Sequence, residues 1–154
     1  ATGLKPVFMG QLDDNDYVVG LKRKFSGATF LPLASPLEDF ETLRNTKNIV
    51  LSISTFSWLA AWLSEKAGTI HLPIAGLYDP LNTQALLLPI DDPRYRFYHI
   101  NFLDKMDRDS TTAAEWAAQH HETQEFAIED VRKRVSMAIA DQATPGRGSV
   151  ASDA

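Results

Sequence analysis

The chain has 154 residues, a net charge of −5, 44% hydrophobic and 23% charged side chains, and no cysteine. That is enough chain and enough apolar content for one domain with its own core, and the acidic balance gives no footing for nucleic-acid binding. The missing thiols exclude disulfides, thiolate metal sites and cysteine nucleophiles.

The first half alternates between two periods. Pro6–Val7–Phe8–Met9 reads as a strand closed by Gly10. Asp13 to Asp16 supplies turn and cap residues, and Tyr17 to Phe25 carries apolar residues at helical spacing until Ser26–Gly27 breaks it. Ala28–Leu33 is a second strand. A helix starts at Ser35–Pro36–Leu37–Glu38, with Ser35 as N-cap, Pro36 in the first position and Glu38 closing a capping box, and Leu37, Phe40 and Leu43 share one side. After a turn at Asn45–Asn48, Ile49–Ile53 is a third strand, apolar enough to be buried on both faces. The helix that follows, Thr55–Lys66, is apolar all round, which predicts further protein over it, and Gly68 fits as its C′ residue. Thr69–Ile74 is the fourth strand.

Residues 75–107 are less regular, with a turn at Asp91–Tyr95 and a weakly alternating, edge-like strand over Arg96–Phe102. Ser110 or Thr111 caps a helix to about His121, and Phe126, Ile128, Val131, Val135 and Ile139 give a second helix an amphipathic stripe. The order predicts an α/β fold: a Rossmann-like parallel sheet of about four strands flanked by helices, with a helical C-terminal extension. The expected division is residues 1–107 for the Rossmann-like unit, 108–141 for the extension and 142–154 for a disordered tail. No apolar run is long enough to span a bilayer and no signal peptide is visible. The expected location is cytoplasmic. The chain begins with Ala rather than Met, which reads as processing or excision from something longer.

The junction of the third strand and its helix carries four hydroxyls, Ser52, Ser54, Thr55 and Ser57. A helix start leaves backbone N–H groups unpaired at the positive end of the dipole, where an anion such as a phosphate binds well. One hydroxyl there is an ordinary N-cap; four exceed what a cap needs. An anion site and a structural cap both fit this spacing. In parallel sheets ligands bind beyond the carboxyl ends of the strands, where Ser52 and Ser54 lie on one side of the chain. Glu38–Asp39, at the preceding helix start, borders the same cleft. Capping accounts for Glu38 but less well for Asp39, whose carboxylate can accept hydrogen bonds from a nucleobase or ribose.

Other constellations read blandly. There is no Gly-x-Gly-x-x-Gly, Walker, Gly-x-Ser-x-Gly or His-Glu-x-x-His motif. His120 and His121 point about 100° apart on a helix, poorly placed for one ion even with Glu115 and Glu122 nearby. Asp13, Asp14 and Asp16 fit a turn and cap better than a metal site. Lys22–Arg23–Lys24 and Arg132–Lys133–Arg134 read as solvated helix faces. A hydrolase pairing Ser57 with His71 is a remote option.

Ser35-Pro-Leu-Glu-Asp-Phe40, followed after some ten residues by Ile49-Val-Leu-Ser-Ile-Ser-Thr-Phe-Ser-Trp-Leu-Ala-Ala-Trp-Leu63, resembles the donor-binding half of fucosyltransferase-like glycosyltransferases, the α-1,2-fucosyltransferase family and its relatives. The resemblance covers about residues 5–80, extending weakly to Tyr98, and its most specific part is Ser54-Thr-Phe-Ser-Trp58. It implies two Rossmann-like domains and inverting transfer of a sugar from a nucleotide donor, here a GDP-sugar, to a glycan acceptor, with no metal and no other cofactor. It places Ser54, Thr55, Phe56 and Ser57 at the donor diphosphate and Asp39 beside the nucleoside. Two features depart from the family. Nothing matches its His-x-Arg-x-Gly-Asp-type motif, and Leu59 replaces the second Trp of its usual pair. The reading is therefore a donor-binding domain that needs an N-terminal half, with no catalytic residue assigned. The competing reading is a non-catalytic interaction domain with a degenerate Rossmann-like fold, associating with itself or a partner through the apolar helix Phe56–Leu63 and the amphipathic helix around Val131.

Overall fold

Three of the apolar runs set apart by the sequence line up in parallel to build the main sheet. The computed structural model describes residues 3–13, 15–83, 86–100 and 123–143. In chain order these form β1 (Val7–Phe8), α1 (Asp16–Lys24), β2 (Thr29–Phe30), α2 (Pro36–Arg44), β3 (Asn48–Val50), α3 (Thr55–Trp62), β4 (Thr69–Ile74), a 3-10 turn (Gly76–Tyr78), β5 (Tyr95–Ile100), β6 (Thr123–Glu125) and α4 (Ile128–Ala143). The sheet order is β3-β4-β5-β6, with the first three strands parallel and β6 antiparallel to β5. β1 and β2 pair in parallel as a separate ladder rather than joining the main sheet. The result is the expected Rossmann-like α/β class.

One face of the sheet carries the core. Ile49, Ile70 and Tyr95 stand in register across three strands, as do Leu72 and Phe97 across two. With Leu51 and Ile74 they are buried against Ala61 of α3, Tyr78 and Val131 of α4. The opposite face differs from expectation. β3 is an edge strand, and Val50 is 79% exposed, so β3 is buried on one face rather than two. Apolar content alone does not report which face is covered. β5 is the converse case: expected at an edge, it lies between β4 and β6. Thr123-Gln-Glu125 contains no apolar residue, so no alternation announced β6.

Helix starts follow the sequence more closely than helix ends. Ser35 and Glu38 form the reciprocal capping box on α2, and Asn15 caps α1 by accepting from Val18 N–H at 3.0 Å. α3 stops at Trp62, short of the expected Lys66. Ser64 intervenes: its Oγ accepts from the Lys66 and Ala67 amides and donates to the Arg44 carbonyl, offering the backbone an alternative to another helical turn. Gly68 is not a left-handed C′ residue; its N–H bonds the Lys47 carbonyl at 2.8 Å. In α4, Val131, Val135 and Ala138 face the core, while Ile139 is exposed. The helix expected from Ser110 to His121 lies outside the described residues, as does the expected 142–154 tail from residue 144 on, while Gln142 and Ala143 belong to α4 rather than to that tail.

Tyr95 is buried and its hydroxyl has no hydrogen-bond partner among the described residues. Burial, together with the nearby Asp92 charge, pushes the phenol up to about 12. An unpaired buried hydroxyl costs stability without return, so Tyr95→Phe should raise the unfolding free energy by about 1 kcal/mol in a urea melt. A loss of stability would mean that the hydroxyl is satisfied in solution.

Candidate functional site

α2 and α3 run side by side in the same direction. At their far ends Ser64, just past α3, donates to the Arg44 carbonyl that ends α2. Nearer their starts, Phe40 meets Phe56 edge-on, with ring centroids 5.5 Å apart. The two helix N-termini therefore open at the same end of the sheet, beyond the carboxyl end of β3. Asp39, half-buried beside Phe40, stands in the first turn of α2 on that side. Its neighbour Glu38 is occupied by the capping box, and the Ser35 hydroxyl and amide hold its carboxyl below the usual range.

The hydroxyls of the β3–α3 junction divide into two roles. Ser57 is buried and turned inward. Its Oγ lies 3.0 Å from the Ser54 carbonyl and 3.3 Å from both the Ser52 carbonyl and Ser52 Oγ. A hydroxyl has one proton, so the shorter contact takes it, and Ser52 Oγ can donate to Ser57 Oγ. The Ser54 carbonyl also accepts the Trp58 amide at 3.0 Å and the Tyr78 hydroxyl at 2.6 Å. This carbonyl is the fixed point of the turn, and Ser57 and Tyr78 brace it from below. Ser54 occupies the N-cap position, yet its side chain caps nothing. Thr55 and Phe56 are exposed. The first helical bond is the one from Trp58 N–H to Ser54 O, so the amides of Thr55, Phe56 and Ser57 precede it and have no helical acceptor. Ser54 and Thr55 hydroxyls, with those amides, form a donor-rich mouth at the positive end of α3.

Two supports beneath this mouth were not legible in the sequence. Trp58 Nε1 donates to the Leu87 carbonyl at 2.8 Å, pinning α3 to the segment before β5. Asp79, buried directly after Tyr78, takes a two-pronged bond from Arg134 of α4 at 2.9 and 2.6 Å. Burial opposes its ionised form, but Arg134 and the Leu81 amide outweigh that and leave the carboxyl below its ordinary range. Arg134 is thus a structural anchor, and the expectation of a solvated Arg132–Lys133–Arg134 face holds only for its neighbours, which are exposed. The one available signal was Asp79–Pro80, a turn-forming pair after a strand.

His71 is committed elsewhere. Its Nδ1 lies 2.9 Å from the Tyr98 hydroxyl, on the sheet face opposite the core. Ser57 Oγ is directed at the Ser54 carbonyl, so the two are not brought together as nucleophile and base, and the hydrolase reading falls. Among the described residues no group of three His, Asp or Glu side chains is placed to hold a metal ion. His120 and His121 lie outside the described residues, as does Asp14.

A family model, that of glycosyl transferase family 11, matches residues 5–86, just over half of the chain. The chain belongs to glycosyl transferase family 11. This is the α-1,2-fucosyltransferase family, to which the Ser-Thr-Phe-Ser-Trp segment is similar. The family 11 match runs from just before β1 to beyond the turn that follows β4, and so includes Asp39 and the whole Ser52–Ser57 junction. β5, β6 and α4, including Arg134, lie outside it. No curated protein and no solved structure matches the chain. No helix among the described residues is long and apolar enough to cross a membrane.

Proposed function

We propose that the mouth of α3 binds the diphosphate of a nucleotide-sugar donor, a GDP-sugar, during inverting transfer to a glycan acceptor. The observation that carries this reading is the donor set at Ser54–Ser57, inside the region matched by the family: the Thr55, Phe56 and Ser57 amides have no helical acceptor and the Ser54 side chain caps nothing. In the transfer, the acceptor oxygen bonds to the anomeric carbon as the bond from that carbon to the phosphate oxygen breaks. The acceptor proton leaves to a base. Negative charge grows on the departing nucleoside diphosphate, and fixed N–H and O–H donors aimed at it stabilise the transition state without reorganisation. Asp39 then accepts from the nucleoside, at the neighbouring helix start. A complementary N-terminal half carrying the family's His-x-Arg motif would complete the donor site, and no residue of this chain is assigned as the base.

Calorimetric titration with GDP, GMP and UDP tests the reading. Saturable GDP binding that weakens when one phosphate is removed is expected; no saturable binding of either diphosphate would overturn it.

One observation favours association as a second reading. Phe56, Leu59 and Trp62 form a stripe along α3 and are 42%, 40% and 50% exposed. Large apolar side chains in a contiguous exposed row mark an interaction surface. Light scattering should then show a dimer or larger species that dissociates in Leu59→Glu. A monomer at all concentrations counts against self-association.

A further inference from the structure

The sheet face opposite the core carries a chain of polar side chains that crosses three strands. His71 of β4 stands in register with Arg96 of β5, and Tyr98 of β5 with Glu125 of β6. His71 Nδ1 lies 2.9 Å from the Tyr98 hydroxyl, and that hydroxyl lies 3.4 Å from Glu125 Oε2. The proposed donor site uses none of these groups.

The phenol has one proton and two acceptors within reach. Burial, with the Glu125 charge beside it, pushes the Tyr98 phenol up, so it keeps that proton through the neutral range. Beside a neutral imidazole the proton belongs to the 2.9 Å contact: Tyr98 donates to His71 Nδ1, and the imidazole proton sits on Nε2. Glu125 then gains nothing from Tyr98, which matches the longer 3.4 Å separation. Protonating His71 reverses the direction. Both ring nitrogens then donate, so Nδ1–H points at the phenol oxygen and the phenol proton turns to Glu125. One hydroxyl now joins an imidazolium to a carboxylate, and hydrogen bonds to charged groups are shorter and stronger than neutral ones.

Imidazoles change charge between pH 5 and 8, where carboxylates are ionised. Among the described residues, the register partners of His71 are Val50 on β3, which carries no charge, and Arg96 on β5. The Arg96 cation opposes a second one nearby. Its Nη1, however, donates to the Pro93 and Tyr95 carbonyls at 3.1 Å, and its Nε lies 3.8 Å from Glu125 Oε1. Glu125 therefore faces both cations. The consequence falls on β6, a three-residue strand with no apolar side chain, which Glu125 ties to β5. Two residues after β6, α4 begins; it carries Val131 into the core and Arg134 to Asp79.

We propose that His71, Tyr98 and Glu125 form a proton-operated latch that fastens β6 to the sheet when His71 is charged and slackens it when His71 is neutral. The latch does not depend on the donor reading.

NMR on the full chain, without nucleotide, tests it. The His71 Cε1–H resonance follows protonation. The Phe126 amide, which bonds the Phe97 carbonyl at 2.9 Å, reports the seating of β6 through its exchange protection. As pH falls through the His71 titration, that protection, corrected for the intrinsic pH dependence of exchange, should rise at least about threefold. Glu125→Gln should make His71 hold its proton at least about twofold less tightly and abolish the rise. In a Tyr98→Phe background the same Glu125→Gln change should leave His71 unaffected, because the hydroxyl joining them is gone. Phe126 protection that ignores the charge on His71 overturns the proposal. So does a His71 titration unmoved by Glu125→Gln, and so does an equal effect with and without the Tyr98 hydroxyl, which would be a charge acting through space. Each of these failures leaves GDP binding as a separate question.

Discussion

Arg134→Met should lower the unfolding free energy by about 2–3 kcal/mol, under the roughly 3–5 kcal/mol for breaking a fully buried ion pair because the arginine keeps some contact with water. Asp79 is 6% exposed and would be left with two turn contacts, the Leu81 amide and Asn82 Nδ2, both at 3.1 Å, in place of four. The same pair sets an acid limit. The Asp79 carboxyl is lowered in the folded state, so its contribution is fully present above the unfolded carboxylate value near 3.9 and is lost as pH falls through the folded value. Chemical melts of the parent and Arg134→Met between neutral and strongly acidic pH check both points. The difference between them should be largest at neutral pH and shrink in acid. A difference independent of pH would assign the loss to packing of the arginine stem. The consequence reaches the candidate site, because Asp79 follows Tyr78, whose hydroxyl braces the Ser54 carbonyl.

Ser54→Ala combined with Thr55→Val should weaken GDP binding about 5- to 150-fold, corresponding to ~1–3 kcal/mol for hydroxyl donors lost from a buried phosphate contact. The fold should hardly notice, since the Ser54 side chain caps nothing and Thr55 is exposed. Ser57→Ala is the contrasting variant. Its hydroxyl is bound within the turn, so its removal should lower stability first and affinity only through the loosened Ser54 carbonyl. Calorimetry and thermal melts on the three proteins separate the roles. If the double variant melts lower yet binds GDP as tightly as the parent, the hydroxyls are structural and the diphosphate lies elsewhere.

Much of this architecture is local chemistry and was legible before any coordinates. The Ser35–Glu38 capping box, the Ser54 helix start and the β4 run Thr69–Ile74 sit where their residues place them. Caps and short-period apolar patterns act over a few residues, so a sequence displays them directly. The resemblance carried by Ser54-Thr-Phe-Ser-Trp58 pointed to the family for the same reason: its motif is contiguous. Ends and edges were less visible. Ser64 ended α3 early by bonding a carbonyl twenty residues away, and β6 has no apolar alternation to betray it.

By itself the sequence determined the α/β class, the positions of the helix starts and the hydroxyl-rich junction, because each follows from neighbours along the chain. Only the tertiary structure decided how those hydroxyls are used: Ser57 turns inward because Ser54 and Ser52 meet it there, while the Ser54 side chain caps nothing and Thr55 is exposed. It also decided that Arg134 serves Asp79 rather than solvent, and that β3 ends the main sheet with Val50 uncovered. The reason is the same throughout. Burial and pairing are set by segments distant in sequence, and no local pattern states which of them will arrive.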